Sequence, residues 1–234
     1  MTITLHPIGY IHSPYKEKFA IPRQPGLATA AKGRIELVKP YCQADYCRGL
    51  EQFSHLWLIF QFHQTADKTH SALARPPRLG GNEKIGVFAT RNTHRPNNLG
   101  MSVVKLESVD IVQNNVEIIV SGIDLLDGTP IIDIKPYLPY ADALPDAMAG
   151  YAQQAPENLL QVAFSQQAQQ QIQHYCAAYP ELHLLISQIM AQDPRPAYQR
   201  NTSSERVYGV KLYEFNVRWQ VNLDTCTVIE VSPV

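Results

Sequence analysis

The stretch GVFATRNTHRPNNLGM, residues 86–101, predicts a polar loop between two buried strands. Its first four residues are small, β-branched or aromatic, which favours a strand, and a second apolar run begins at Leu99. Between them lie two arginines, one histidine and three asparagines, many more donors than a tight hairpin connection needs. This excess is typical of a binding loop for carboxylate or phosphate, and an ordinary polar surface loop is the alternative.

The composition predicts a globular protein with a net charge close to zero. Of 234 residues, 45% are hydrophobic and 18% are charged, and the formal net charge is -1. No overall basic field points to nucleic acid, so any polyanion site must be a local patch. The four cysteines are scattered, which favours free thiols in a reducing compartment. No signal peptide opens the chain and no apolar run reaches the roughly 18 residues of a membrane helix, so we expect a cytoplasmic protein.

The segment HLWLIFQFH, residues 55–63, has the period of two that indicates a strand. Alternate residues predict a face turned towards a core: Leu56, Leu58, Phe60 and Phe62. The opposite face carries a histidine at each end, and roughly 26 Å of strand separates them, so they cannot share a metal ion. Shorter runs also predict strands at residues 3–12, 33–39 and 116–120.

Two further segments combine turn signals with polar side chains. Residues 13–27 contain three prolines, which predict a stiff irregular loop presenting Arg23 and Gln24 as a ligand clamp or merely as a rim. Around the Asp127-Gly128 turn, Asp124, Asp127 and Asp133 supply three carboxylates. These carboxylates suit Mg²⁺ or Ca²⁺, ribose hydroxyls, or simple capping of the turn, which we favour for Asp127.

The chain changes character near residue 150. Ser165 is a suitable helix N-cap, and an apolar stripe at helical spacing over residues 182–190 predicts a second helix packed on a core. Alternation returns from residue 213 to 223 and predicts a half-buried strand that pairs with residues 228–231. We therefore expect two domains, a β-rich one at residues 1–150 and a small α+β one at residues 151–234.

Common nucleotide and hydrolase motifs are absent from the sequence. No G-x-G-x-x-G opens a helix after a strand, there is no Walker A lysine motif, and there is no H-E-x-x-H. The residue patterns alone therefore lead to a β-barrel whose polar clusters, at strand ends, bind something polar.

Several long motifs together resemble the TrmO (TsaA-like) family of S-adenosylmethionine-dependent tRNA methyltransferases. The resemblance covers nearly the whole chain, so it is far more specific than one short pattern. The motifs that carry it are SPYKEKFAIPRQPG, FSHLWLIFQFHQT, RPPRLGGN, GVFATRNTHRPNNLGMSVVKL, DLLDGTPIIDIKPYLPYAD and AQDPRPAY.

This resemblance implies a mainly β fold, with a non-Rossmann N-terminal β-barrel and a small C-terminal α+β domain that supports tRNA recognition or dimerisation. It implies a homodimer that transfers a methyl group from S-adenosyl-L-methionine to N6 of threonylcarbamoyladenosine, at tRNA position 37 beside the anticodon. No metal is implied. The cofactor-binding residues carried over by motif are Arg23, Gln24, Pro25, His63, Gln64, Arg91, Leu99, Met101, Asp124, Leu125, Leu126 and Asp127.

Other roles follow from chemistry once that reaction is assumed. Asp127 or Asp133 is a candidate base for the proton on N6. Candidate tRNA contacts are basic or aromatic side chains that would bind phosphates or stack on bases: Arg95, Lys135, Tyr137, Tyr140, Arg195, Tyr198 and Arg218. The alternatives are a barrel that binds S-adenosylmethionine or a nucleotide without catalysis, and a carboxylate-metal hydrolase.

Overall fold

The computed structural model of the chain describes residues 3–65, 71–80, 82–112, 115–154, 160–195 and 204–234. Its contacts divide the chain into two compact units, each assembled from separated segments. The first unit comprises Met1–His12, Gly33–Ser121 and Gly128–Ala155, and the second comprises Ser13–Lys32, Gly122–Asp127 and Pro156–Val234. Two segments from within residues 1–150 thus belong to the second unit. The boundary at residue 150 stays a prediction.

The first unit contains a closed barrel of six strands, which confirms the predicted β-barrel. In chain order these are β1 (Gly9–His12), β2 (Lys32–Leu37), β3 (His55–Gln61), β6 (Leu99–Val112), β7 (Asn115–Ser121) and β8 (Thr129–Pro136). Around the barrel the order is β1-β2-β7-β6-β3-β8. A two-residue ladder joins β4 (Leu73–Ala74) to β5 (Ile85–Gly86), and a short helix, α1, spans Pro139–Asp142.

Alternation along β3 fills the barrel interior. Leu56, Leu58 and Phe60 are buried, while the intervening residues are half-buried or exposed. This confirms the predicted strand, although β3 ends at Gln61 and leaves Phe62 outside it. The strand predicted at residues 3–12 is shorter than expected, because only Gly9–His12 pairs with neighbouring strands.

The strand predicted at residues 86–89 is wrong beyond Gly86. Val87–Ala89 form a 3-10 turn in which the backbone N–H and the hydroxyl of Thr90 both donate to the carbonyl of Val87. Val87 is buried, but Phe88 is 79% exposed. An aromatic residue favours a strand only where a pleated surface receives it, and the β4–β5 ladder ends at Gly86.

The second unit contains a four-stranded sheet and two helices. The strands are β9 (Gln161–Phe164), β10 (Ser204–Leu212), β11 (Phe215–Asn222) and β12 (Thr225–Pro233), in the order β10-β11-β12-β9. The helices are α2 (Gln166–Tyr175), capped by the Ser165 hydroxyl, and α3 (Leu182–Ala191). The predicted apolar stripe of α3 is entirely buried: Leu182, Leu185, Ile186, Ile189 and Met190. The α+β prediction for this part of the chain is therefore confirmed.

Short 3-10 turns complete the description. Besides Val87–Ala89, they lie at Lys18–Ala20, Ala44–Cys47, Leu50–Gln52, His63–Thr65, Pro77–Leu79, Pro96–Asn98 and Gly150–Ala152. Within the described ranges, no helix has both the length and the apolar character that a membrane crossing requires. All four cysteines are free thiols, as predicted, and only Cys176 is exposed.

Substitution of Gly9 tests how closely β1 approaches β2 in the barrel. A methyl group at this position would lie 2.5 Å from the backbone carbonyl oxygen of Glu36, which cannot move without disturbing β2. We expect Gly9→Ala to lower the free energy of unfolding by about 1–3 kcal/mol or more, measured by urea denaturation.

Gly86→Ala is the matched control, because a methyl group there meets nothing within 4 Å. A loss of stability equal to that of the Gly9 variant would contradict the steric explanation.

Candidate functional site

A brace of hydrogen bonds holds two distant segments of the second unit together. The Ser13 N–H donates to Asp127 Oδ1 at 2.8 Å, and the Ser13 hydroxyl donates to the Leu125 carbonyl at 2.8 Å. In return, the Asp127 N–H donates to the Tyr15 carbonyl at 2.9 Å. Residues 13–16 therefore fix the backbone of the predicted cofactor segment, residues 124–127.

Asp127 is the centre of this brace. Its second carboxylate oxygen, Oδ2, lies 2.7 Å from Lys16 Nζ. Both oxygens thus accept from residues more than a hundred positions away in the sequence. The carboxylate ties two segments together, where the sequence favoured capping of its own turn.

Tyr15 adds a buried phenol beside Asp124. Its side chain is fully buried, and its hydroxyl is one of two buried side-chain polar atoms that lack a hydrogen-bond partner in the described part of the chain. Burial, and next the nearby charge of Asp124, raise the pKa of Tyr15 well above its usual value, so the phenol stays protonated.

The loop that carries Arg23, Gln24 and Pro25 lies against the same segment. The Gly26 N–H donates to the Gly122 carbonyl at 2.8 Å. A Cβ on Gly122 would come within 3.4 Å of the Gly26 backbone, so the lack of side chains permits this close approach. The Arg23 side chain is exposed and that of Gln24 is half-exposed. The predicted PRQ and DLLD motifs are therefore neighbours in the second unit.

The two leucines of the DLLD motif differ in what they can contact. Leu125 is 1% exposed and contributes its side chain to the core, so only its backbone is left for a ligand. Leu126 and Asp124 are half-exposed. The side chain of Leu125 therefore cannot pack on a ligand, and only its backbone can serve as the predicted cofactor contact.

The remaining predicted cofactor residues lie in the first unit. His63 and Gln64 occupy the 3-10 turn after β3, which is tied to the loop at residues 91–98. The Phe62 N–H donates to the Asn98 carbonyl at 2.8 Å, and the Thr65 hydroxyl donates to the Thr93 carbonyl at 3.3 Å. Burial lowers the pKa of His63, so its imidazole is neutral near pH 7.

The loop at residues 91–98 is ordered by its own polar groups. Asn92 Oδ1 accepts from the His94 N–H at 2.7 Å, and Arg95 donates from Nη1 to the Thr90 carbonyl at 3.0 Å. Asn97 and Asn98 both have positive φ, as suits the predicted turn. The loop thereby presents Arg91 as an exposed side chain.

Leu99 and Met101 follow this loop on β6, opposite Gln61 and Ile59 of β3. Leu99 is half-buried and Met101 is 57% exposed. Met101 is thus available for an apolar contact with a ligand.

The carboxylates do not form a metal centre in the part of the chain that the structure describes. No group of three or more His, Cys, Asp or Glu side chains is placed there to hold an ion. Asp133 lies on β8, where its Oδ1 accepts from the Ile134 N–H at 2.9 Å and its Oδ2 lies 3.7 Å from Lys135.

One predicted tRNA contact is wrong. Arg195 is 5% exposed, and its guanidinium donates to both carboxylate oxygens of Asp193, from Nε at 2.7 Å and from Nη2 at 2.9 Å. The hydrogen bonds to Asp193 raise the pKa of Arg195 despite the opposing effect of burial. A buried, doubly hydrogen-bonded guanidinium cannot reach a phosphate, so this side chain stabilises the fold.

The other predicted tRNA contacts differ in their exposure and in the groups that they already contact. Lys135 lies beside Asp133, and Arg218 pairs with Glu230 at 2.9 Å. Tyr137 packs against Trp57 and His55. Tyr140 is 87% exposed, Arg95 is half-exposed, and Tyr198 lies outside the described residues.

Comparison with known proteins matches both parts of the chain. The tRNA-methyltransferase O N-terminal domain model matches residues 10–143, and the TrmO C-terminal domain model matches residues 157–234. A tRNA (adenine(37)-N6)-methyltransferase of Escherichia coli strain K12 is 53% identical, covering 97% of this chain and 96% of that protein. A putative S-adenosylmethionine-dependent methyltransferase of Pseudomonas aeruginosa is 51% identical over 99% of each.

Solved structures agree with these matches. A crystal structure of TrmO from Pseudomonas aeruginosa superposes with a TM-score of 0.83 at 44% identity, covering 99% of each chain. The closed barrel with its α+β partner thus defines the class of barrel-type methyltransferases that act on tRNA. Within that class, this chain belongs to the tRNA-methyltransferase O (TrmO) family.

The sequence did not reveal the brace of Ser13, Tyr15 and Lys16. Each of these contacts joins residues more than a hundred positions apart, and no local periodicity signals such a pair. The motif SPYK was visible only as part of the family resemblance.

Substitution of Arg195 tests whether this arginine stabilises the fold or binds RNA. We expect Arg195→Ala to lower the free energy of unfolding by about 3–5 kcal/mol, because it leaves the buried carboxylate of Asp193 without its cation. Chemical denaturation measures this loss.

Arg218→Ala is the matched control in the same unit. Its ion pair with Glu230 is partly exposed, so the loss should be at most about 1 kcal/mol. Equal stability of the two variants would contradict the structural role of Arg195.

Proposed function

We propose that this chain transfers a methyl group from S-adenosyl-L-methionine to N6 of adenosine 37 in tRNA, and that the acceptor is threonylcarbamoyladenosine. Membership of the TrmO family over both parts of the chain carries the proposal. The extensive similarity to a tRNA (adenine(37)-N6)-methyltransferase supports the position and the atom that is methylated. The threonylcarbamoyl group and a homodimer rest on the motif resemblance alone and stay predictions. A tRNA acceptor would place the reaction in the cytoplasm.

The polar groups on each unit fit the chemistry of the cofactor. In the second unit, Arg23 and Gln24 supply donors and Asp124 supplies acceptors, and the Gly26–Gly122 hydrogen bond joins the two segments that carry them. In the first unit, Arg91 supplies an exposed guanidinium and Met101 an exposed apolar side chain. Taken separately, each set suits some of the chemical groups of S-adenosylmethionine, which has a carboxylate, an ammonium group, ribose hydroxyls and an apolar purine face.

Each of these side chains suits one chemical group of the cofactor. A guanidinium such as that of Arg91 or Arg23 would bind the methionine carboxylate as a two-pronged donor. Asp124 would accept from ribose hydroxyls or from the ammonium group. The neutral imidazole of His63 can both donate and accept, which suits a hydroxyl or a ring nitrogen.

When bound, the cofactor supplies an electrophilic methyl group on a sulfonium. The protein contributes orientation, because aligning the reacting atoms at near-attack distance can supply roughly 7–11 kcal/mol of the acceleration. The N6 nucleophile also has to lose a proton. Ser13 and Lys16 lie 2.8 and 2.7 Å from the two oxygens of Asp127. Asp133 Oδ2 lies 3.7 Å from Lys135, a looser contact, so Asp133 is the better candidate base.

A labelled methyl-transfer assay tests the proposal. The substrate is bulk tRNA from cells that lack this gene, mixed with isotopically labelled S-adenosylmethionine and the full chain. We expect label in a single nucleoside, N6-methyl-threonylcarbamoyladenosine. Label in another nucleoside would overturn the acceptor and keep the enzyme class. Cofactor binding without transfer would favour a binding module that performs no chemistry.

The Arg91→Ala variant tests the cofactor assignment. We expect weaker binding of S-adenosylmethionine by about 1.5–3 kcal/mol, the usual contribution of a hydrogen bond to a charged group, with unchanged stability. Isothermal titration calorimetry measures the affinity. Arg48→Ala, which removes an exposed arginine paired with Asp45, is the control. Unchanged affinity in the Arg91 variant would remove Arg91 from the site.

A further inference from the structure

Among the described residues, the loops around the β4–β5 ladder carry three cations without a carboxylate partner: Arg75, Arg78 and Lys84. Residues 71–98 contain five arginines or lysines and one carboxylate, Glu83, in a chain of net charge -1. Arg75 and Lys84 are exposed and form no ion pair within the described ranges, and Arg78 donates only to a neutral carbonyl. Many cations elsewhere do pair with a carboxylate, namely Lys16, Lys32, Arg34, Arg48, Lys105, Lys135, Arg195 and Arg218.

Two of these cations flank one end of the ladder. Leu73 pairs with Gly86, and Ala74 pairs with Ile85. Arg75 directly follows β4 and Lys84 directly precedes β5, so the two cations flank the same end of the ladder. Two like charges that flank one end of a ladder repel each other, so an anion bound against them is favoured.

Residues 150–154 contact the two turns that carry a third cation, Arg78, and an exposed aromatic ring, Phe88. Arg78 donates from Nη2 to the Gln154 carbonyl at 2.5 Å, and the Tyr151 hydroxyl donates to the Ala89 carbonyl at 3.4 Å. One short segment thus contacts both the turn that carries Arg78 and the turn that carries Phe88. Phe88 is 79% exposed, which is unusual for a phenylalanine.

We propose that Arg75, Arg78, Lys84 and Phe88 form a tRNA-binding surface, the ladder surface. The three cations contact backbone phosphates, and the Phe88 ring stacks on an unpaired base. This inference rests on the proposed function, because it assumes that tRNA is the substrate.

The chemistry of the surface fits a nucleic acid. Three cations with a single carboxylate in the same stretch of sequence suit a polyanion, and the guanidinium fork suits phosphate oxygens. Single-stranded loops are recognised by such cations combined with aromatic rings, since every base has a face for stacking. A near-neutral chain also requires a local patch of this kind.

The double variant Arg75→Gln/Lys84→Gln tests the phosphate contacts. We expect tRNA affinity at 0.1 M salt to fall roughly ten- to a hundredfold, and the slope of log affinity against log salt to shrink by about one for each cation removed. Affinity for S-adenosylmethionine should not change, because neither residue belongs to the proposed cofactor set. Filter binding over a salt series measures both the tRNA affinity and the salt slope.

The control double variant is Arg48→Gln/Lys105→Gln, which removes one arginine and one lysine from the same unit. Both cations are exposed and paired with acids, so their loss should leave the salt slope unchanged. An equal loss in both double variants, or an unchanged slope in the ladder variant, would overturn the ladder surface.

Phe88 separates stacking from charge. Phe88→Leu keeps an apolar side chain and removes the ring, so tRNA affinity should fall about five- to a hundredfold while the salt slope stays at the wild-type value. Unchanged affinity would remove Phe88 from the surface. In all these experiments, wild-type protein that methylates tRNA shows that the proposed function holds, so a failure of the variants then concerns the surface alone. Wild-type protein that neither binds nor methylates tRNA would overturn both.

Discussion

The pairing of β1 with β8 is the contact on which the barrel depends. It joins Gly9 to Ile131 across more than a hundred residues of chain, and it leaves the sheet without an edge. Such a distant pairing has a high entropic cost before it is formed, so local segments such as the β6–β7 hairpin can order first. The small size of Gly9 is required where β1 approaches β2, which is why a single methyl group matters there.

Much of the fold could be predicted because its signals are local. The alternation along β3, the stripe of α3 and the Ser165 cap each depend on residues a few positions apart. What could not be predicted depends on the tertiary environment. Phe88 is of a residue type that favours strands, but it has no sheet to join. Arg195 is of a residue type that binds phosphate, but it is buried.

The family motifs predicted more of the candidate site than the chemistry of individual residues did. Residue chemistry identified polar clusters, and the resemblance joined them into one cofactor set. The structure adds how the DLLD segment is held, since Ser13 and Lys16 engage both oxygens of Asp127. Both oxygens of Asp127 therefore bind groups of the protein itself. Asp124, the other aspartate of the DLLD motif, has different surroundings.

The distribution of the thiols has a practical consequence. Burial raises the pKa of Cys47, and burial also raises the pKa of Cys226 to about 12, which disfavours their reactive thiolate forms. Cys42 is buried as well, whereas Cys176 is exposed just after α2. A maleimide dye would therefore attach at one native position, giving a fluorescent reporter without engineered cysteines. The same thiol is where air oxidation would join two molecules covalently during storage.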